Sequence, residues 1–134
     1  MLRLEFTKRK RYESDANGIC LPIALRRGTG EIVILASVDT GAAHCLFERS
    51  YGEMLGFDIE AGESRVFAGA TGYAEAFGYS VSTDTLGVEF ESVVYFFANA
   101  GIRKNLLGRI GCLDRIRLGS VDYDQMLYLA PYDS

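Results

Sequence analysis

Ile34-Leu35-Ala36-Ser37-Val38-Asp39-Thr40-Gly41-Ala42 sets a carboxylic acid directly at the end of an apolar run. A short run rich in Ile, Val and Leu and bounded by turn residues reads as a buried strand. An Asp emerging from such a strand is costly to ionise unless backbone donors or a shared proton satisfy it. Gly41 can offer its N–H to that carboxylate with no Cβ in the way, and the Thr40 hydroxyl can hydrogen-bond across an interface. By itself an Asp-x-Gly triplet is most often a turn, so the meaning of Asp39 rests on its surroundings.

Upstream, residues 19–27 and 31–38 are two β-rich runs joined by Arg27-Gly28-Thr29-Gly30, whose glycines suit the positive φ of a hairpin. Further upstream, Leu2, Leu4 and Phe6 alternate with Arg3, Glu5 and Thr7, which predicts a half-buried strand, and Asp15-Ala16-Asn17-Gly18 predicts a turn. Downstream the period changes. Phe47, Tyr51, Met54 and Leu55 recur at three- and four-residue spacing, predicting a short helix stopped by Gly56. Residues 64–68 and 73–83 read as arms of a second hairpin around Gly69-Ala70-Thr71-Gly72, and residues 88–97 as a long apolar strand. Past Ala98-Asn99-Ala100-Gly101 comes Asn105-Leu106-Leu107-Gly108-Arg109. Ile110, Leu113 and Ile116 then share one face of an expected second helix. A strand pair around a polar turn at residues 122–125 closes the chain. The reading is one mainly-β domain over residues 1–134, with residues 1–18 a strand and turn ahead of the rest.

A hydrophobic share of 49% in 134 residues is enough to build one core without disulfides. The net charge of −4 carries no clustered basic stripe for phosphate, so no nucleic-acid partner is expected. The basic run Lys8-Arg9-Lys10-Arg11 is answered at once by Glu13 and Asp15 and reads as a solvated strand end or turn. Cys20, Cys45 and Cys112 are odd in number and widely spaced, which argues against a disulfide framework or a zinc site and fits small core residues in a reducing compartment. No apolar run approaches a bilayer span and residues 1–15 hold no leader-like stretch, so a cytoplasmic protein without a membrane partner is expected.

The Asp-Thr-Gly triplet after an apolar strand, the glycine-containing hairpin and the Leu-Leu-Gly-Arg segment, in that order, resemble the retropepsin-like aspartic peptidases over residues 19–129. That resemblance implies a closed mainly-β barrel with one or two short helices, a flap hairpin and a two-fold homodimer. It implies a catalytic loop at Asp39-Thr40-Gly41 and a flap over a polypeptide substrate at Ala68, Gly69, Ala70, Thr71, Gly72 and Tyr73, with Ala42 beside the loop. Leu106-Leu107-Gly108 would pack beneath that loop. No metal or cofactor is implied, and an apolar cleavage preference is. Two features depart from the family. Retroviral members carry an Asp two places after the catalytic Gly as partner for the Arg of the Gly-Arg segment, whereas Ala43 stands there and leaves Arg109 without it. The flap sequence is also bulkier than the usual glycine cluster.

Aspartic peptidase chemistry needs two carboxylates sharing a proton. With a single Asp-Thr-Gly, a two-fold homodimer would supply the second Asp39 by symmetry, and the dyad would titrate as a pair with acid-favoured activity. Two other readings stay open: a non-catalytic homodimeric peptide-binding or dimerisation module, and a structural or ligand-binding β-barrel, monomeric, in which Asp-Thr-Gly is only a turn. Asp58, Glu60, Asp84, Glu91, Asp122 and Asp124 read as solvated acids. His44-Cys45 does not read as a thiol peptidase pair, because adjacent strand residues point to opposite faces. Tyr73, Phe77 and Tyr79 suit either substrate pockets or strand packing.

Overall fold

The computed structural model describes residues 1–13, 18–69 and 72–134. The described residues form ten strands: β1 Lys8–Arg11, β2 Cys20–Arg27, β3 Gly30–Val38, β4 Leu46–Phe47, β5 Glu63–Gly69, β6 Gly72–Thr85, β7 Val88–Phe97, β8 Leu106–Leu107, β9 Ile116–Val121 and β10 Met126–Pro131. One helix, α1 Arg49–Met54, joins them, together with short 3-10 turns. Most of the turn read at Asp15-Ala16-Asn17-Gly18, and the Ala70-Thr71 apex of the second hairpin, lie outside the described residues.

β2 and β3 form the first hairpin with Ile23 opposite Ile34, turning at Gly28 with φ +58°. Although β3 is apolar for most of its length, Ile32, Ile34, Ala36 and Val38 point inward, while Val33 and Leu35 face out. The strand alternation of side chains decides this. Seven strands follow the order β2-β3-β8-β4-β7-β6-β5, and β6 pairs again with β2 through Ala24 and Asp84, Leu25 and Thr83, and Arg26 and Ser82. That second pairing closes the sheet into a barrel and removes an open edge. β1, β10 and β9 form a separate three-stranded sheet. The main core gathers Phe47 and Phe96 with Leu21, Ile23, Leu25 and Leu107. A smaller cluster of Leu46, Ala76, Tyr95 and Phe97 lies at the base of the β5–β6 hairpin. Among the described residues no helix is long and apolar enough to cross a membrane.

The second hairpin and the strand at residues 88–97 stand as expected, and the helix before Gly56 is α1, ended by Gly56 at φ +85°. Two expectations fail. The alternation at Leu2, Leu4 and Phe6 is not a strand: Leu2 and Leu4 are exposed at 99% and 69%, and pairing begins at the basic run, with Lys8 opposite Leu129. A strand needs a partner as well as a pattern, and β10 offers one only from residue 7 onward. The basic side chains are solvated, as expected, on an edge strand where like charges discourage further pairing. The second helix is replaced by a single 3-10 turn at Leu113–Arg115. Ile110 instead bridges to His44 and is half exposed, Gly111 takes φ +99°, and Ile116 opens β9. Pairing with the loop before β4 overrides helical spacing there.

Candidate active site

Asp39 follows the last residue of β3 and is half-buried. Its backbone N–H donates to Leu107 O at 3.0 Å, and its own carbonyl accepts from the Ala42 N–H at 3.1 Å. The Gly41 N–H donates to Asp39 Oδ1 at 2.9 Å, as the triplet suggested. A Cβ on Gly41 would come within 3.3 Å of that same oxygen, close enough to press on the carboxylate. This hydrogen bond orients the carboxylate. Thr40 is exposed beside it.

The loop is held from beneath by the Leu-Leu-Gly-Arg segment. β3 runs parallel to β8, with Ser37 beside Leu106 and Val38 beside Leu107, while β8 meets β4 antiparallel through Leu106 and Leu46. The Arg109 N–H donates to Ala42 O at 2.9 Å and the Ile110 N–H to Ala43 O at 2.8 Å. Two chain segments distant in sequence thus cross in contact. A Cβ on Gly108 would sit 2.3 Å from His44 O, so the crossing excludes any side chain at that position. With Ala43 in place of an acid, Arg109 is exposed and makes no ion pair among the described residues.

Above this crossing, β5 and β6 form the flap hairpin, with Ala68 opposite Tyr73 and Gly69 opposite Gly72. A cavity of about 410 Å³ lies under it, bounded by Ala68, Gly69, Gly72 and Tyr73 on one side and Leu46 and Leu106 on the other. Tyr73 is 82% exposed, whereas Phe77 is buried and Tyr79 stacks on Phe57 at 4.1 Å, so the aromatic set divides between cavity and packing. A second cavity of about 390 Å³ is lined by Asp39, Leu35, Ser37 and Leu106. Ala42 lines neither cavity; its N–H donates to Asp39 O and its carbonyl accepts from the Arg109 N–H. Arg103 and Lys104 line both cavities. The sequence reading passed over them; the available signal was a pair of adjacent cations, in an acidic chain, just before Leu106-Leu107-Gly108.

His44, between the loop and β4, lies edge-on to the rings of Phe67 and Tyr95 at 5.7 and 5.3 Å. Arg65 of β5 places Nη1 3.2 Å from His44 Nε2. Burial, then the charges of Arg65 and Arg109, hold the His44 imidazole below its ordinary pKa. Cys45 points the other way, into the core with Cys112, which fits packing and not a thiol nucleophile. Its hydrogen bond with Cys45, then burial, pushes the Cys112 thiol strongly upward. Of the other acids, Glu60 pairs with Arg49 at 2.5 Å, which holds its carboxyl low. Asp84 is less solvated than expected, pairing with Arg26 at 3.1 Å and accepting from the Gly87 N–H. Asp122 accepts from the buried Tyr12 hydroxyl. Among the described residues no group of three or more His, Cys, Asp or Glu is arranged to hold a metal ion.

The closed barrel, the crossing of the Asp loop over β8 and the overlying hairpin define the retropepsin-like fold. Among solved structures, the chain is similar to the crystal structure of a retropepsin-like aspartic protease from Rickettsia conorii. Identity is 22%, the match covers 92% of this chain and 99% of that one, and the TM-score is 0.65. No family model matches the sequence, and no curated protein matches it.

Proposed function

We propose that the chain is an aspartic endopeptidase whose active site forms when two copies bring their Asp39 loops together about a two-fold axis. One Asp39 carboxylate takes a proton from water, whose oxygen attacks the peptide carbonyl carbon, while the protonated partner Asp39 gives its proton to the carbonyl oxygen. Collapse of the tetrahedral intermediate breaks the C–N bond as the amine leaves with a proton. In this reading Thr40 ties the two loops together, the Gly41 N–H holds each carboxylate, and the flap closes over an extended polypeptide by strand-like pairing. The observation that carries it is the placement of Asp39: it ends a core strand, its loop is pinned to β8 and the segment after it by the Asp39 N–H to Leu107 O and the Arg109 N–H to Ala42 O, and it lines a cavity.

The test is cleavage of a mixed peptide library from about pH 3 to 8, comparing the native chain with Asp39→Asn, which keeps the shape and removes the shared-proton chemistry. Acid-favoured cutting that disappears in the variant is the expected result. The unpaired Arg109 beside Ala43 favours a second reading, a homodimeric peptide-binding module. A confirmed dimer that binds peptides and cuts none at any pH would establish that one instead.

A further inference from the structure

The two cavities flanking Leu106 differ from an ordinary apolar peptide cleft in one respect. The cavity under the flap has an apolar floor of Leu46, Phe67, Ala74 and Phe97, yet its rim carries Arg103 and Lys104, and none of its described lining residues is acidic. The same two cations border the second cavity, where Asp39 is the one acid among the lining residues. They are therefore shared between the space under the flap and the space around Asp39.

Neither cation is used up within the chain. Arg103 is 82% exposed, and its nearest carboxylate oxygen, Glu48 Oε1, is 3.8 Å away, beyond hydrogen-bond length. Glu48 is engaged elsewhere: its Oε2 accepts from Asn105 Nδ2 at 2.7 Å. That ion pair keeps the Arg103 guanidinium near the rim and offsets part of its charge, while the exposed head stays open to a second carboxylate. Lys104 is exposed and has no ion pair among the described residues. The chain as a whole carries −4, so a doubly cationic rim runs against the charge of the molecule and marks a local complement to anions.

We infer that Arg103 and Lys104 select polypeptide substrates carrying a glutamate or aspartate next to the scissile bond, its stem on the apolar floor and its carboxylate at the rim. The inference rests on the peptidase reading, and in a two-fold dimer each copy presents the same pair, so acidic side chains are favoured on both sides of the bond. The two methylenes of a glutamate can rest on such a floor while its carboxylate meets the cations at the rim.

Two fluorogenic peptides identical except for a glutamate or a glutamine beside the scissile bond test it, with the native chain and with Arg103→Gln/Lys104→Gln. Two partly exposed cation–carboxylate pairs predict about a tenfold advantage in kcat/KM for the glutamate peptide. The ratio collapses toward one in the double variant, and in the native chain it shrinks at high salt. Equal cutting of both peptides, or a ratio untouched by the double substitution and by salt, overturns the inference while leaving the peptidase reading intact. If neither peptide is cut, their binding to Asp39→Asn protein, read by fluorescence anisotropy, separates the two ideas. Tighter, salt-sensitive binding of the glutamate peptide upholds the cationic rim as a recognition element, with the peptidase reading left to the library test, and equal binding overturns the rim.

Discussion

Arg65 on the flap and His44 beyond the Asp39 loop are joined by a 3.2 Å contact between Nη1 and Nε2, the one polar side-chain link found between these two segments among the described residues. An arginine has only donors, so Nε2 must be the accepting nitrogen of a neutral imidazole. Protonation would set a second cation against Arg65 and near Arg109.

Stability should therefore depend on pH through His44. Its folded-state pKa is depressed by burial and by the two arginines. The contribution is fully present above the ordinary imidazole value of about 6.5 and is lost as pH falls through the lower folded value. Denaturation midpoints at pH 7.5 and at about pH 5 check this. The native chain should lose more stability across that interval than His44→Gln, and parallel losses would show that His44 is not the titrating group. The same protonation weakens the link between flap and loop in the acid range where an aspartate dyad works best.

Gly108 makes the sharpest steric statement in the molecule. A Cβ there would meet the His44 carbonyl oxygen at 2.3 Å, its carbon at 2.6 Å and its nitrogen at 2.8 Å, all backbone atoms. Gly108→Ala should cost about 3 kcal/mol or more, since relief requires moving one of two crossing segments. Chemical denaturation would measure it. A variant within about 1 kcal/mol of the native chain would mean that the Asp39 loop does not cross β8 this closely.

The barrel was legible in the sequence where one segment carried both its pattern and its partner. Residues 19–38 contain two strands and the glycine turn between them, and β7 ends where its apolar run ends. Reading failed where the partner was remote. The alternation at Leu2, Leu4 and Phe6 has no strand to face, and the helical spacing of Ile110, Leu113 and Ile116 yields to a bridge with His44. The acid and its glycine donor could be read because three adjacent residues build that contact. Arg103, Lys104 and the Arg65–His44 link could not, because only the folded chain brings β5, the Asp39 loop and residues 101–106 together.

The same logic separates apolar residues that look alike in sequence. Phe96 is fully buried against Phe47 and Phe57, whereas Val33, in the middle of an equally apolar strand, is 62% exposed. Phe96→Ala should destabilise by about 3–5 kcal/mol, through lost burial plus the cavity left behind. Val33→Thr should stay within about 0.5 kcal/mol. Comparable losses at both positions in urea unfolding would contradict the inward assignment of Phe96 on β7 and the outward assignment of Val33 on β3.

A shared active site makes a prediction about mixtures that a site within one chain does not. When native protein and Asp39→Asn are mixed in equal amounts and allowed to exchange subunits, random pairing leaves about a quarter of the dimers with two aspartates. Half hold one aspartate and one asparagine, and these cannot share a proton between two carboxyl groups. Cleavage by the mixture should therefore settle near a quarter of that of the same total amount of native protein. It should also fall more steeply than in proportion when the native chain alone is diluted below its dimer dissociation constant. A mixture that keeps half the activity, together with a rate per chain unchanged by dilution, would mean that each Asp39 works without its symmetry mate, and the dyad mechanism would have to be abandoned.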